Sequence, residues 1–252
     1  MPTLLAFVPH PDDESYSFGG LLALAARAGW ECFIECASYG EKGKRHDGGG
    51  TRPNDVAEAR EAELEASCRA LGAQPPRFWG LPDGELRLHR GEHARIAGLF
   101  LEFEPDLVLT LGADGAYGHP DHTALHRWVL TGWQALPEPR PPLLFPVFPK
   151  GLFVPQWDKC RHMLGDPPDP PAAAIGSDEW QYDLPITSVR DVKLASIAAH
   201  RSQLPGGNPE SIFPSGIVSR LLDVEHFEHA SRRPQPKTAE LLEQMTARPN
   251  GN

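Results

Sequence analysis

The sequence lacks long apolar runs and a secretion signal. No window contains the roughly 18 consecutive apolar residues that a membrane-spanning helix needs. The amino terminus has no basic segment followed by an apolar core and a cleavage site. These absences predict a protein that neither spans a membrane nor is exported, and we expect it in the cytoplasm.

Cysteine is also scarce. The chain has four cysteines, and no two of them form a Cys-x-x-Cys pair. Cys32 and Cys36 lie in an apolar stretch that is typical of a strand. Buried thiols are therefore expected rather than a disulfide framework, which agrees with a reducing compartment.

Positive charge is in deficit. The chain has 24 lysines and arginines against 34 acidic residues, which gives a formal net charge of -10. Nucleic-acid binding depends largely on cationic side chains that displace counterions from the phosphate backbone. Nucleic acid is therefore not an expected partner.

The composition is otherwise that of a globular protein with many loops. Hydrophobic residues make up 40% of 252 residues, and 27 prolines and 24 glycines predict a large turn and loop fraction. This length suits one α/β domain with a full core. We predict a single catalytic domain over residues 1–231 and a mobile C-terminal tail over residues 232–252. A proline-rich insertion over about residues 136–185, made of one strand and long loops, forms either a substrate lid or a simple insertion.

Short apolar runs alternate with segments of helical periodicity. The predicted strands cover residues 3–8, 31–38, 77–79 and 106–111, and the predicted helices cover residues 14–27, 54–71, 92–103 and 191–203. This alternation indicates an α/β, Rossmann-like fold with a mostly parallel sheet flanked by helices. Ligands of such folds bind beyond the carboxyl ends of the strands, so we expect the active site there.

Two clusters of histidine and aspartate follow two of these strands. Residues 10–14 read His-Pro-Asp-Asp-Glu, and residues 117–122 read Tyr-Gly-His-Pro-Asp-His. Either cluster alone is better explained by turn and helix-cap chemistry. Two clusters at strand ends that face one rim indicate a metal site, because two imidazoles and one carboxylate are a common ligand set of hydrolytic zinc.

The two clusters resemble the signatures of the LmbE-like, or PIG-L, family of metal-dependent N-acetylglucosaminyl deacetylases. The resemblance continues at residues 40–43 (Gly-Glu-Lys-Gly), 60–63 (Arg-Glu-Ala-Glu), 81–84 (Leu-Pro-Asp-Gly) and 200–203 (His-Arg-Ser-Gln). It runs in order from about residue 3 to about residue 230, and the proline-rich middle is poorly matched. The start of the chain looks most like the bacillithiol-type deacetylases.

The resemblance implies a metal and its ligands. It makes His10, Asp13 and His122 the ligands of Zn²⁺, with Fe²⁺ or another divalent metal as the alternative. It makes Asp12 the general base, and a carboxylate one residue before a ligand suits that role. His126, one turn after His122, is interpreted as a supporting or helix-face residue.

The resemblance also implies roles for other matched residues. His119 is the acid and electrostatic stabiliser, and Asp121 orients it and favours its protonated form. Tyr117 helps to hold the oxyanion, while Arg60 and Asp83 bind substrate. Without the resemblance, Tyr117 is a loop tyrosine, Arg60 an exposed helix charge and Asp83 a turn residue. No role for His200 follows from the sequence.

The implied reaction is hydrolysis of the acetamide of an N-acetylglucosamine conjugate, which releases acetate and a free amino sugar. Low-molecular-weight thiol biosynthesis is the pathway that the bacillithiol-type resemblance suggests. A non-haem Fe(II) oxygenase is an alternative, because its facial triad has the same ligand set. A non-catalytic sugar-binding module is another, although it does not require all the acidic and imidazole side chains. The aglycone, the native metal and any homo-oligomer are left open.

A local group of cations stands out in this acidic chain. Lys42, Lys44 and Arg45 follow the second predicted strand, and Arg60 lies on the next helix. Together they predict an anionic group, such as a carboxylate, at the far end of the substrate. The alternative is that residues 40–50 form a glycine-rich loop whose charges are simply solvated.

Overall fold

The computed structural model describes residues 1–247, in which seven β-strands and eight α-helices follow one another along the chain. The strands are β1 (Thr3–Val8), β2 (Glu31–Cys36), β3 (Arg77–Phe78), β4 (Leu107–Leu109), β5 (Leu143–Val147), β6 (Tyr182–Pro185) and β7 (Val224–His229). The helices are α1 (Asp13–Arg27), α2 (Pro53–Leu71), α3 (Glu92–Phe103), α4 (Gly115–Gly118), α5 (Pro120–Gln134), α6 (Val154–Cys160), α7 (Arg190–Ala199) and α8 (Pro236–Thr246). Every predicted strand and helix is present; the boundaries of β1 and α3 are as predicted, and those of the others are shifted. None of the helices within the described range has the length and apolar composition needed to cross a membrane.

All seven strands form one sheet with the order β3-β2-β1-β4-β5-β7-β6. The strands β1 to β5 pair in parallel, and β7 and β6 add to β5 as antiparallel strands. The predicted mostly parallel α/β fold is therefore confirmed. The strand order reverses between β1 and β4, and such a reversal opens a crevice at the carboxyl ends of the strands. The two histidine and aspartate clusters follow these two strands.

Strand β1 is apolar and buried from Leu4 to Val8, and both faces of the sheet are covered there. Leu4, Ala6 and Val8 belong to a core cluster with leucines of α1 and α2. Leu5 and Phe7 belong to a second cluster with residues of α3 and α5. A strand buried on both faces loses the alternation of polar and apolar residues, which is why β1 reads as a continuous apolar run.

The proline-rich segment contains more regular structure than predicted. Besides β5 it contains helix α6 and strand β6. Phe153 and Trp157 of this region pack with Tyr16 of α1 and Phe213 in a separate core cluster. This packing sets α6 beside the carboxyl ends of the strands. The segment therefore packs on the rest of the domain and forms one side of the crevice, instead of consisting mainly of loops.

The prediction of a mobile tail from residue 232 is wrong for α8. Thr238, Leu242 and Met245 of this helix are buried, and the helix contacts α1 and β6. These three side chains lie at i, i+4 and i+7, which places them in one stripe of a helix. The stripe has only three residues and lies in a polar, proline-containing segment, so the sequence gives little indication of a packed helix here. Residues 248–252 lie outside the described range.

A buried ion pair joins α7 to β7. Lys193 Nζ lies 2.7 Å from Glu225 Oε1, and both side chains are buried. The Glu225 carboxylate also accepts the backbone N–H groups of Gly20 and Leu21 at 2.7 and 2.8 Å, just after α1 is interrupted at Phe18. The Glu225 carboxylate thus connects β7 to both α1 and α7.

A Glu225→Ala substitution is expected to lower the free energy of unfolding by about 3–5 kcal/mol, because it leaves the Lys193 ammonium buried without its partner. Urea denaturation followed by circular dichroism measures the change. The matched control is Asp223→Ala, which breaks the exposed Arg190–Asp223 pair at 2.7 Å and is expected to cost less than about 1 kcal/mol. Equal, small losses in both variants would show that the buried pair adds no stability.

Candidate active site

Three imidazoles meet at the crevice between β1 and β4. The ring centroids of His10 and His119 are 4.8 Å apart, those of His10 and His122 5.3 Å, and those of His119 and His122 4.7 Å. One nitrogen of each ring lies within 4.8 Å of a nitrogen of each of the other two, and all three side chains are buried. The fold therefore brings the two predicted clusters together, although more than a hundred residues separate them.

Asp13 lies between two of these imidazoles. Its Oδ2 is 3.1 Å from His10 Nδ1, and its Oδ1 is 3.3 Å from His122 Nε2. Neither ring nitrogen of His122 forms a hydrogen bond within the described chain, although both are buried. A buried polar atom without a partner is costly, and two imidazole nitrogens beside a carboxylate are a suitable donor set for a divalent metal. The residues therefore fit such an ion.

Tyr16 holds Asp13 in place and was missed in the sequence. Its hydroxyl donates to Asp13 Oδ1 at 2.6 Å. Burial opposes ionisation of Asp13, but neighbouring His122 and the hydrogen bond from His10 outweigh it and hold the pKa of Asp13 well below its usual range. The available signal was the spacing, because residues three apart on a helix share one face.

Asp12, the N-cap residue just before α1, has an unusual backbone conformation. Its φ is 108°, in the left-handed region that residues other than glycine seldom adopt. Its Oδ2 lies 3.0 Å from Arg60 Nη2. Burial raises the pKa of Asp12 to about 7, while the Arg60 guanidinium acts in the opposite direction. A carboxylate of this kind lies in the range where general bases work at neutral pH.

Arg60 lies behind Asp12, at the wall of the cavity. Besides Asp12, its guanidinium donates from Nη1 to the Gly40 carbonyl at 2.9 Å and from Nη2 to the Pro11 carbonyl. Its side chain is buried. The contacts of Arg60 in this structure are thus to the protein, and substrate binding by Arg60 stays a prediction.

The Asp121 carboxylate forms no hydrogen bond with His119 within the described residues, so it is not the group through which Asp121 contacts that ring. Its oxygens accept the backbone N–H groups of Gly84 and Leu86 at 2.6 and 3.1 Å, and Oδ2 lies 3.2 Å from His10 Nε2. Instead, the backbone N–H of Asp121 donates to His119 Nδ1 at 3.2 Å. His119 is the residue that caps α5, and a capping side chain accepts the backbone N–H two or three residues ahead.

The protonated form of His119 is not favoured either. Burial lowers the pKa of His119 well below its usual value, and the nearby His122 and His10 lower it further. Asp121 acts in the predicted direction but is outweighed. Because Nδ1 accepts a hydrogen bond, the neutral ring carries its proton on Nε2. His119 is therefore a hydrogen-bond donor through Nε2.

Asp83 reaches the same site from the loop after β3. Its Oδ1 lies 3.2 Å from His10 Nε2, and its Oδ2 accepts the backbone N–H of Lys42 at 2.9 Å. Burial opposes ionisation, but His10 holds the pKa of Asp83 well below its usual range. Asp83 is thus an ionised side chain at the cavity edge, and its role in substrate binding stays a prediction.

A cavity of about 470 Å³ opens above these residues. Its floor includes His10, Asp12, Tyr117 and His119. The remaining walls come from the glycine-rich loop, the α6 region and the segment after α7, and include Lys42, Lys44, His46, Gln156, Cys160, Met163, Gln203, Ile212 and Phe213. Pockets of this size accommodate a small ligand such as a sugar conjugate.

Tyr117 lies at the edge of the imidazole cluster. Its ring centroid is 5.2 Å from that of His122 and 6.0 Å from that of His119. Burial raises the pKa of Tyr117 well above its usual value, so the hydroxyl keeps its proton. It is available as a hydrogen-bond donor inside the cavity.

The predicted group of four cations is mostly neutralised by neighbouring carboxylates. Lys42, Arg45 and Arg60 each pair with an aspartate or glutamate, at 2.8, 2.5 and 3.0 Å. Lys44 lines the cavity and forms no ion pair with any residue in 1–247. Within the described part of the chain, one of these four cations, Lys44, is therefore available to pair with an anionic ligand.

Comparison with known proteins identifies sequence relatives. Residues 5–132 match the PIG-L family, described as GlcNAc-PI de-N-acetylase. A 1D-myo-inositol 2-acetamido-2-deoxy-alpha-D-glucopyranoside deacetylase of Nakamurella multipartita is 33% identical over 92% of this chain and 90% of the relative. A probable N-acetyl-alpha-D-glucosaminyl L-malate deacetylase of Bacillus cereus is 28% identical over 79% of this chain and 83% of that protein.

Solved structures share the fold. GalB, the 4-carboxy-2-hydroxymuconate hydratase of Pseudomonas putida, has a TM-score of 0.70 at 20% identity, covering 93% of this chain and 98% of that one. The N,N'-diacetylchitobiose deacetylase of Pyrococcus horikoshii has a TM-score of 0.61 at 20% identity, covering 94% and 85%. At such identity only the fold is comparable, and a hydratase and a deacetylase both have it.

Family membership rests instead on the family match over half of the chain and on the relative from Nakamurella. The chain belongs to the PIG-L family of de-N-acetylases and is an enzyme of the deacetylase class.

Proposed function

We propose that the protein is a zinc-dependent deacetylase that hydrolyses the acetamide of an N-acetylglucosamine conjugate to acetate and a free amino sugar. The observation that carries this proposal is the contact of the buried Asp13 with both His10 and His122, next to a cavity of about 470 Å³ that His10 and Asp12 line. The relatives named for inositol-linked and malate-linked acetamido sugars support a small polar aglycone. The place in low-molecular-weight thiol biosynthesis rests on the bacillithiol-type resemblance of the sequence.

The metal ligands in this proposal are His10, Asp13 and His122. A divalent ion bound there acidifies water and polarises a carbonyl oxygen. Tyr16 and the neighbouring imidazoles keep the Asp13 carboxylate ionised and oriented, and oriented supporting contacts of this kind strengthen metal ligands.

The proton transfers are assigned to Asp12. It faces the cavity and is held by Arg60, so it accepts a proton from the attacking water as the acyl carbon–oxygen bond forms. The same carboxyl group then returns that proton to the amine nitrogen as the carbon–nitrogen bond breaks. Tyr117 and His119 donate hydrogen bonds to the negative charge that develops in between.

Replacement of His119 distinguishes a hydrogen-bond donor from a proton donor. His119→Ala is expected to lower kcat by about 10²-fold, the usual effect of losing one oxyanion donor. His119→Gln keeps an N–H group near the Nε2 position and is expected to stay within about tenfold of wild type. Steady-state acetate release measures both variants. A glutamine variant as impaired as the alanine variant would instead support the originally predicted acid role for a protonated His119.

The decisive test of the proposed function is product analysis. The purified protein, loaded with Zn²⁺, is offered the inositol and malate conjugates of N-acetylglucosamine and N,N'-diacetylchitobiose, and acetate and free amine are measured with oxygen consumption. We expect equal amounts of acetate and amine without oxygen uptake, loss of activity on chelation and recovery with Zn²⁺. Oxygen consumption would support the oxygenase alternative, and no turnover of any conjugate would contradict the proposal.

Substrate preference is expected to depend on Lys44. Lys44→Ala should lower kcat/KM for the malate conjugate by up to about fivefold at low salt, the effect of one exposed ion pair, and by less at high salt. The neutral methyl glycoside should be unaffected. Arg45→Ala is the matched control, because Arg45 already pairs with Asp47. Equal values for both substrates in all three proteins would remove the reason for an anionic aglycone.

A further inference from the structure

The backbone of Asp12 is held by contacts from outside its own turn. Its φ of 108° and ψ of −26° are uncommon for a residue with a side chain. Such a conformation persists at a functional site only when surrounding contacts enforce it. The N–H of Asp12 donates to Glu14 Oε2 at 3.0 Å, so the position of Glu14 affects the direction of the Asp12 side chain.

Glu14 is itself fixed by two partners. Its Oε1 accepts from His200 Nε2 at 2.7 Å and from the Ser67 hydroxyl at 2.5 Å. Glu14, His200 and Ser67 are completely buried. With Oε1 held by these two groups, Oε2 is left directed at the N–H of Asp12.

The position of His200 is set by α7 before it and by an anchored segment after it. It follows α7, and two residues later Ser202 donates to both carboxylate oxygens of Glu63 in α2, at 2.6 and 2.8 Å. The other ring nitrogen of His200, Nδ1, has no hydrogen-bond partner within residues 1–247. The ring therefore has one polar side-chain contact in the described structure, through Nε2 to Glu14, and His200 is not among the residues that line the cavity.

We propose that His200 is a positioning residue: its hydrogen bond to Glu14 keeps the other oxygen of Glu14 on the N–H of Asp12, and so keeps the Asp12 carboxylate directed into the cavity. The inference rests on the proposed function in treating Asp12 as the base. A role in packing alone requires only the volume of the ring, whereas this role requires a hydrogen-bond donor at the Nε2 position.

The test compares two variants of similar shape that differ in that donor. His200→Gln keeps an N–H near Nε2, whereas His200→Met does not. We expect His200→Gln to keep kcat within about threefold of wild type, and His200→Met to lose about 10²-fold, the size of effect that a small misplacement of a reacting group produces. KM and bound zinc should be unchanged in both. Ser196→Ala is the matched control, because Ser196 hydrogen-bonds Ser67 at 2.6 Å rather than Glu14 and should leave kcat unchanged.

A second measurement does not depend on activity. Crystal structures of the two variants report φ of Asp12, which should stay near 108° in His200→Gln and move away from it in His200→Met. If the methionine variant does not fold, His200→Asn, whose amide is too short to reach Glu14, replaces it. A folded methionine or asparagine variant with wild-type kcat and unchanged φ overturns the inference, and so does a folded glutamine variant that has lost kcat. If wild type releases no acetate, the proposed function fails, and φ of Asp12 still decides whether His200 positions it.

Discussion

A His122→Ala protein is expected to lose its bound metal and its activity together. The His122 ring is completely buried, and its Nε2 lies 3.3 Å from Asp13 Oδ1. A surface side chain therefore cannot take its place as a metal ligand when it is removed. A site of three protein ligands that lacks one binds metal weakly. The loss of affinity should exceed the roughly 10–100-fold effect of removing a residue that only supports a ligand. Elemental analysis after gel filtration and acetate release on the same sample measure both quantities.

The matched control for this substitution is His126→Gln. His126 lies one helical turn after His122 in α5, and its Nδ1 faces the Leu111 carbonyl at 2.8 Å. It packs on Phe145 instead of facing the cavity, so its replacement should leave the metal in place. Stoichiometric metal in His122→Ala would show that the ligand assignment is wrong.

An Asp12→Asn protein is expected to keep its metal and to lose roughly 10²-fold or more in kcat, the usual contribution of a general base. The amide preserves the size of the side chain but cannot accept the proton of water. Because the proposed ligands are untouched, zinc content should equal that of wild type, which separates this variant from His122→Ala. KM should change little.

The control for Asp12→Asn is another carboxylate close to the cavity, Glu85. It is exposed and pairs with Lys42 at 2.8 Å, so Glu85→Gln should leave kcat unchanged at full metal content. Unchanged turnover in zinc-loaded Asp12→Asn would remove Asp12 from the reaction and would leave the observed φ of 108° without a catalytic purpose.

Much of the fold could be predicted because its signals are local. The apolar run of β1 and the helical spacing in α2 each depend on a few neighbouring residues, and the predicted segments correspond to the observed elements. The elements that were not predicted include α6, the antiparallel strands β6 and β7, and α8. The buried stripe of α8, formed by Thr238, Leu242 and Met245, is recognisable only from its contacts with α1 and β6. A short amphipathic helix of this kind is stabilised by tertiary packing more than by its own propensity.

The residues of the site could also be predicted, but their contacts could not. Histidine and aspartate after β1 and β4 are visible in the sequence, because parallel strands bring their carboxyl ends to one edge. Whether the Asp121 carboxylate bonds His119 or instead accepts N–H groups from the loop after β3 depends on how that loop packs. The contact of Tyr16 with Asp13 depends on a rotamer that the core cluster around Phe153 helps to fix.

The sequence by itself determined most of the parallel strands and their helices, the type of sheet and which side chains lie at the candidate site. These follow from periodicity, from strand ends and from a resemblance carried by short motifs. Tertiary structure alone decided which charges are free and which residues support others. Lys42, Arg45 and Arg60 form a basic group in the sequence, yet each pairs with a carboxylate in the structure. Among residues 1–247, Lys44 has no such partner. The proposed positioning role of His200 follows only from the structure, in which its Nε2 lies 2.7 Å from Glu14 Oε1. Pairing energies of buried charges depend on distance and burial, and neither quantity can be read from residue order.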